Sequence, residues 1–302
     1  MNKYSIYGLN ILSDYEFEEA FPIDNVDEAD VIIQEAEKEE KFRIPELEDR
    51  EKGYYYCHDR LYSWIKYPKF GEFVILEGKL IKYKLYDGYN RMYVNEIFLC
   101  LVIPILLVQR NQIMLHGSGL VYDDKCFVVS GRSGAGKSTI TNAFIKAGAK
   151  FLADDTVALT IEEAIYANSA YPQQKLCFDQ ISEDIKKECE LVLLPEDDGE
   201  PKYAVRSKER FYFGQKRLDA FIVLNPSDKV EEPIIEEVNG AEKISLLMDN
   251  FYSYDAYKDM GLPAEIFKAC LYAVSKIKIY RLSRPKKGMT TEKQLELIKN
   301  VL

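Results

Sequence analysis

The stretch "VVSGRSGAGKSTI", residues 128–140, constrains this chain more than any other. It carries Gly131, four residues, then Gly136, Lys137 and Ser138, the pattern G-x-x-x-x-G-K-[ST], set after an apolar strand and before an amphipathic helix. Glycines let a backbone curl until several N–H groups face one anion. A helix starting at Lys137 adds its positive N-terminal end. The pattern therefore predicts a strand–loop–helix unit that cradles the phosphates of a nucleotide, and with it an α/β chain. Gly131, Ser133, Gly134, Ala135, Gly136, Lys137, Ser138 and Thr139 are the candidate nucleotide-binding residues. Lys137 is placed to reach the β- and γ-phosphates. The Ser138 hydroxyl suits Mg²⁺, a hard cation that takes oxygen ligands. The loop does not choose the phosphate acceptor, which is water, a small molecule or a protein side chain.

The flanking sequence fills in the unit. Leu120 to Tyr122 and Lys125 to Ser130 read as two strands around an Asp-Asp turn. Past the loop, Ile140, Ala143, Phe144 and Ala147 recur at helical spacing, and Gly148 suits the helix end. "KFLADDTVALT" reads as the next strand and carries Asp154 and Asp155. Two carboxylates one helix and one strand after a phosphate loop can hold Mg²⁺ and accept a proton from a nucleophile. His116, in "HGSG" just before the first strand, is a candidate to tune or orient a catalytic base. "LDAFIVLN" and "IKIYRLS" read as strands, and "GAEKISLLMDNFY", "PAEIFKACLYAVSK" and "TEKQLELIKNVL" as helices.

The N-terminal part has another character. "KYSIYGLNI" reads as a strand with a turn at Gly8, and "ADVIIQEA" as a strand at a sheet edge. Residues 54–86 are rich in aromatic and β-branched residues, the mark of a β-meander. Residues 90–111 predict one buried helix, bent near Pro104, that links this region to the nucleotide domain. Two domains are expected, a β-rich region over 1–88 and the phosphate-loop domain over 89–302. The apolar run Phe98 to Val108 is too short to span a bilayer. The formal net charge of −10 speaks against nucleic acid, whose phosphates need clustered Lys and Arg. Six scattered cysteines with no C-x-x-C pair, and only two histidines, speak against a zinc site or a disulfide framework and suit a reducing compartment. The N-terminus lacks the basic-then-apolar pattern of a secretory signal, so a soluble cytoplasmic protein is expected, with no membrane partner.

Three motifs in order, "LHGS", "SGRSGAGKST" and "FLADD", resemble the kinase domain of HPr kinase/phosphorylase, closely over residues 112–160 and loosely over the rest of the C-terminal part. The resemblance implies an α/β fold of the HPr kinase and phosphoenolpyruvate carboxykinase type, with a mixed, partly antiparallel sheet. It implies a phosphotransferase that uses ATP and Mg²⁺ to phosphorylate a serine hydroxyl on a protein. By the same resemblance Lys137 contacts phosphate, Ser138 and Asp155 serve Mg²⁺, Asp154 is the base and His116 supports it. Homo-oligomers are common among such enzymes. The glycine-rich signature that follows the Asp-Asp pair in those kinases is missing, and "IEEAIYANSAYPQQKLCFDQI" stands in its place. The chain is more similar to stand-alone relatives of the family, for which a peptide or small protein carrying Ser or Thr is the expected acceptor.

Three other readings compete: a P-loop ATPase or GTPase that transfers phosphate to water, a nucleotide-gated binding module, and a small-molecule kinase. "FIVLNPSD" places Asn225 and Asp228 at the spacing that reads guanine, but Pro226 stands where Lys is usual, and no Asp-x-x-Gly switch follows the loop. Lys175, Lys202 and Arg206 are further cations that reach phosphates or an acidic substrate if they face the site.

Overall fold

The computed structural model describes residues 1–24, 28–44, 55–194, 201–252 and 254–302. It is a mixed α/β structure that divides into two compact units: residues 1–114 with 253–266, and residues 115–252 with 267–302. The division falls after Met114, not at the 88/89 boundary expected from the sequence. The reason lies in residues 90–111. They form a continuous helical segment, Arg91–Ile97, Phe98–Val102 and Ile103–Gln109. Its aromatic side chain Phe98 packs edge-to-face on Phe17, Phe73 and Tyr83 at ring distances of 5.0–5.4 Å, so it is the core of the first unit.

That first unit is built on an eight-stranded sheet in the order Phe21–Pro22, Asn2–Ile6, Leu9–Ser13, Val31–Glu35, Leu80–Leu85, Gly71–Leu76, Tyr62–Tyr67, Tyr55–His58. The tight turn at Tyr7 and Gly8, both with positive φ, joins the first hairpin. Val31–Glu35 was expected at an edge. It lies inside the sheet, parallel to both neighbours; Val31 and Ile33 point to its covered face and are buried, while Ile32 between them is exposed. Tyr54, the first residue of the expected meander, and the end of the acidic stretch lie outside the described residues.

In the helix, Pro104 cannot donate to the backbone ladder. The turn just before it is widened, with the Ile103 N–H bonded to the Phe98 carbonyl. The Asn90 side chain caps the start by accepting from the Met92 N–H at 2.9 Å. At 19 residues with a mean hydropathy of 2.0, the segment Arg91–Gln109 is long and apolar enough to cross a membrane, which the shorter run Phe98 to Val108 is not. Its most apolar stretch is 72% buried within the protein, as in the core helix of a soluble α/β fold.

The second unit holds a mixed sheet in the order Lys150–Ala153, Ser118–Tyr122, Lys125–Gly131, Gln215–Ser227, Ile165–Asn168, Thr156–Ile161. The long strand Gln215–Ser227 also pairs in parallel with Lys278–Pro285, which pairs antiparallel with Ile234–Glu237. Three parallel strands therefore lie side by side: Lys125–Gly131, Gln215–Ser227 and Lys278–Pro285. The first is buried from Cys126 to Gly131, and its Cys126–Val129 part is an unbroken apolar run, as suits a covered parallel strand. Asp123 and Asp124 turn the hairpin before it, both with positive φ, a conformation short polar side chains tolerate. The helix Lys137–Lys146 packs on this sheet and on the helix Thr291–Val301. Phe144 meets Phe127 and Tyr122 at 4.8 and 5.5 Å, the face expected from its spacing. A small sheet, Gln173–Cys177, Lys202–Arg206 and Glu190–Leu193, has its own core of Leu176, Ile181, Ile185 and Val205.

One expected strand is two. "KFLADDTVALT" breaks into Lys150–Ala153 and Thr156–Ile161, and the break is the Asp-Asp pair itself. Asp155 has φ of 68° and turns the chain out of the first strand.

Candidate functional site

The loop 132–136 leaves the C-terminal end of the strand Lys125–Gly131 and enters the helix Lys137–Lys146. That end of a parallel strand group is where open α/β sheets take their ligands. Gly131 sits where no side chain fits: an added Cβ would lie 2.8 Å from the Leu224 carbonyl oxygen, at a φ of +140°. The Ala135 N–H closes a turn on the Arg132 carbonyl at 3.0 Å. Gly136 leads into the helix with no side-chain cap, so the first-turn N–H groups face out of the helix end unpaired by any cap. Ser133, Gly134 and Thr139 are exposed, Ala135 is buried, and Ser138 is half-buried in the first turn. The Lys137 ammonium lies back on the loop, donating to the Gly131 carbonyl at 2.8 Å and the Arg132 carbonyl at 3.4 Å. Burial holds its pKa below the ordinary lysine value, against the pull of Asp155 and Asp154, which lie within its electrostatic reach.

The two aspartates are placed by the strand beside them. Ser118–Tyr122 runs antiparallel to Lys150–Ala153 with Gly119 opposite Ala153. The pairing continues beyond the strand end, where the Gly117 N–H donates to the Asp155 carbonyl at 3.1 Å. A Cβ on Gly117 would come within 2.5 Å of the Val129 carbonyl, which is the steric reason for glycine in "LHGS". Ser118 and His116, on either side of Gly117, then meet Asp154 and Asp155 respectively. The Ser118 hydroxyl donates to Asp154 Oδ1 at 2.6 Å, and the Lys175 backbone N–H donates to Oδ2 at 2.8 Å. Despite these donors, burial raises the Asp154 carboxyl above its ordinary value.

His116 is on Asp155, not on Asp154 as the resemblance implied. Its Nδ1 lies 3.1 Å from the Asp155 carbonyl and 3.5 Å from Asp155 Oδ1. Both groups only accept, so Nδ1 carries the proton in the neutral ring and Nε2 keeps its lone pair. Burial lowers the His116 pKa more than Asp155 raises it. The ring is backed by Tyr252 at a centroid distance of 6.2 Å. Its backbone N–H donates to the Asn250 carbonyl at 2.8 Å, and Asn250 Oδ1 is 2.8 Å from the Ser130 hydroxyl.

Of the expected cations, Lys175 contributes its backbone to Asp154. Lys202 is exposed and close enough to Lys137 to lower its pKa. Arg206 is held inside the small sheet, donating to Gln173 at 3.1 Å and to Glu190 at 3.3 Å. The guanine-reading pair is also engaged locally: Asn225 donates to Ser283 at 3.2 Å and Asp228 pairs with Lys286. Among the described residues no group of three or more His, Cys, Asp and Glu is placed to hold a metal ion by itself. Ser138 and Asp155 supply only oxygen donors. That fits Mg²⁺, which keeps water and phosphate oxygens for most of its shell, better than a metal needing a full protein cage.

Ser118, Ser130, Asn250 and Tyr252 are site residues that sequence reasoning missed. Ser118 and Ser130 carried a signal, their places in "HGSG" and "SGRSGAGKST"; Asn250 and Tyr252 reach the site through pairing that no local pattern announces.

No protein-family model matches the chain, and no curated protein is recognisably similar to it. Among solved structures, the HPr(Ser) kinase/phosphatase from Coxiella burnetii is similar over 62% of this chain and 95% of its own, with 13% identity and a TM-score of 0.34. A likeness of that size carries no argument about chemistry.

Proposed function

We propose that the second unit is a phosphotransferase that moves the γ-phosphate of Mg-ATP to a Ser or Thr hydroxyl of a peptide or small protein. What supports the reading above all is the convergence of the Lys137 loop and the Asp154–Asp155 pair at one end of the sheet, within electrostatic reach of each other. The order of the three sequence motifs supports the same chemistry. A binding module needs the loop but has no use for a buried carboxylate of raised pKa beside it.

In this reading the phosphates take the first-turn N–H groups of the helix Lys137–Lys146. Lys137 exchanges the Gly131 carbonyl for phosphate oxygens. Asp154 accepts the proton of the attacking hydroxyl as its oxygen bonds to phosphorus and the bond to the β-phosphate oxygen breaks, releasing ADP. A carboxylate whose pKa is lifted by burial is the stronger base for that step. Ser118 and the Lys175 N–H hold the carboxylate in place without filling its remaining lone pairs. Mg²⁺ would be held by Ser138, Asp155 and the phosphates, and it supplies charge neutralisation to the transferring group. His116 orients the Asp155 side of that arrangement.

The test is mass spectrometry of the full chain with Mg-ATP, alone and with Ser- and Thr-containing peptides. A gain of one phosphate on a peptide supports the reading. ATP converted to ADP with every polypeptide unmodified replaces it with a hydrolase or a small-molecule kinase. Bound but intact ATP replaces it with a nucleotide-gated module.

A further inference from the structure

Arg284 is the residue at the phosphate loop that neither the motif nor the proposed chemistry uses. It lies near the end of the strand Lys278–Pro285, opposite Pro226 of the strand Gln215–Ser227. The loop grows from the strand on the other side of Gln215–Ser227. Neighbouring strands lie about 4.8 Å apart, so a group in this position must span roughly 9–10 Å to reach the loop. Arginine is long enough to do so. Its Nε and Nη2 both donate to the Ala135 carbonyl, at 3.1 and 2.9 Å, and Nη1 donates to the Pro285 carbonyl at 2.8 Å.

The donor count is informative. A guanidinium has five N–H groups, and these contacts use three. Two are left over. Among the described residues no carboxylate lies within ion-pair distance of Arg284, although it is half-buried. A half-buried guanidinium that meets only carbonyl oxygens carries its whole charge unbalanced, an arrangement proteins normally complete with an anion. It sits beside Gly136, where an added Cβ would be 3.5 Å from Nη2, at the uncapped start of the helix that must receive the phosphates.

We propose that Arg284 is a second cationic contact for the phosphate chain of the nucleotide, anchoring the loop through Ala135 and offering its two remaining N–H groups to phosphate oxygens. The inference rests on the nucleotide reading of the loop and deepens it. Lys137 then shares the phosphates with a second cation. The two differ in kind: Lys137 is a mobile point charge parked on its own loop, and Arg284 is a planar fork whose direction the Ala135 carbonyl sets before any ligand arrives.

The experiment is direct binding, independent of any acceptor: calorimetric titration of the full chain with Mg-ATP and, separately, with magnesium tripolyphosphate. In R284Q both dissociation constants are expected to rise by about ten- to a hundredfold, the range for one or two lost charge-assisted hydrogen bonds. The two should rise by the same factor, because the contact is to phosphate and not to the base. R284K, with the charge kept and the fork lost, should fall between wild type and R284Q. If R284Q does not fold, R284K carries the test, and unchanged affinity for tripolyphosphate in that variant overturns the proposal. Wild type that binds both ligands and R284Q that binds them equally well removes the Arg284 contact and leaves the nucleotide site standing. Weakened ATP binding with unaltered tripolyphosphate binding also removes it. Wild type that binds neither ligand removes the nucleotide reading and the contact together.

Discussion

Ser118→Ala isolates the environment of the proposed base. The hydroxyl donates to Asp154 Oδ1 at 2.6 Å from a position that is only 2% exposed, so no water replaces it when it is removed. A hydrogen bond to a charged group contributes about 1.5–3 kcal/mol. Its loss lifts Asp154 further, beyond the rise that burial already causes. A base that holds its proton more tightly is active only at higher pH. The acid limb of the transfer rate should therefore move up, with activity recovered on the alkaline side. Stability gives an independent reading. Burial holds Asp154 above its unfolded value of about 3.9, so its contribution is fully present below that pH and is lost as pH rises through the folded value. Removing Ser118 enlarges that loss. Above the raised folded value of Asp154 the variant should be less stable than wild type by about 1.5–3 kcal/mol, and the gap should close as pH falls through that value. Urea unfolding at several pH values measures this. An acid limb that stays put in a folded, active S118A refutes the assignment of Asp154 as the titrating base. A stability gap independent of pH refutes the charge-assisted bond.

Other expectations follow from the same geometry. Asp154→Asn should keep Mg-ATP binding and lose transfer by about two to four decades in single-turnover measurements; persistent transfer would show that Asp154 is not the base. Asp155→Asn should instead raise the Mg²⁺ concentration needed for half-maximal nucleotide binding, and an unchanged requirement would remove it from the metal site. Lys137→Ala should weaken ATP binding by at least about tenfold, since the ammonium parked on the Gly131 carbonyl is lost to the phosphates, and unchanged affinity would remove it from the site. Gly131→Ala forces a Cβ to 2.8 Å from the Leu224 carbonyl at a φ of +140°. Strain of about 1–3 kcal/mol is expected, together with weakened nucleotide binding, and unaltered melting and affinity would contradict it. His116 is held below its ordinary value by burial, so its neutral form contributes stability that is present above about pH 6.5 and lost as pH falls through the lowered folded value. His116→Gln should flatten that acid-side loss in thermal melts, and an unchanged slope would mean the ring titrates as it does in the unfolded chain.

The elements around the loop were legible because each is specified locally. The run Cys126 to Val129 is apolar without interruption, Phe144 and Ile140 repeat at helical spacing, and Asp123-Asp124 suits a tight turn. Those signals depend on residues close in sequence, so the strand–turn–strand–loop–helix unit could be read without the rest of the molecule. The motif glycines belong here too, since their need for unusual φ is a property of the chain itself.

Other features depend on distant partners. Val31–Glu35 has the alternation of an edge strand, but its place inside the sheet is decided by Leu80–Leu85, which lies far along the chain. The helix Arg91–Gln109 was seen, while its membership of the first unit was not, because that depends on which aromatic residues Phe98 finds. The Asp-Asp pair was found as a motif, but the division of partners within it was not. It follows from the antiparallel register that sets Gly119 opposite Ala153 and so hands Asp154 to Ser118 and Asp155 to His116. Arg284 lies 149 residues from the Ala135 carbonyl it holds, and only a parallel strand between them makes that contact. Local propensity, spacing and backbone geometry determined the phosphate loop and its flanking elements. Strand order and register decided which side chains surround it, because those depend on contacts that close only when remote segments pair.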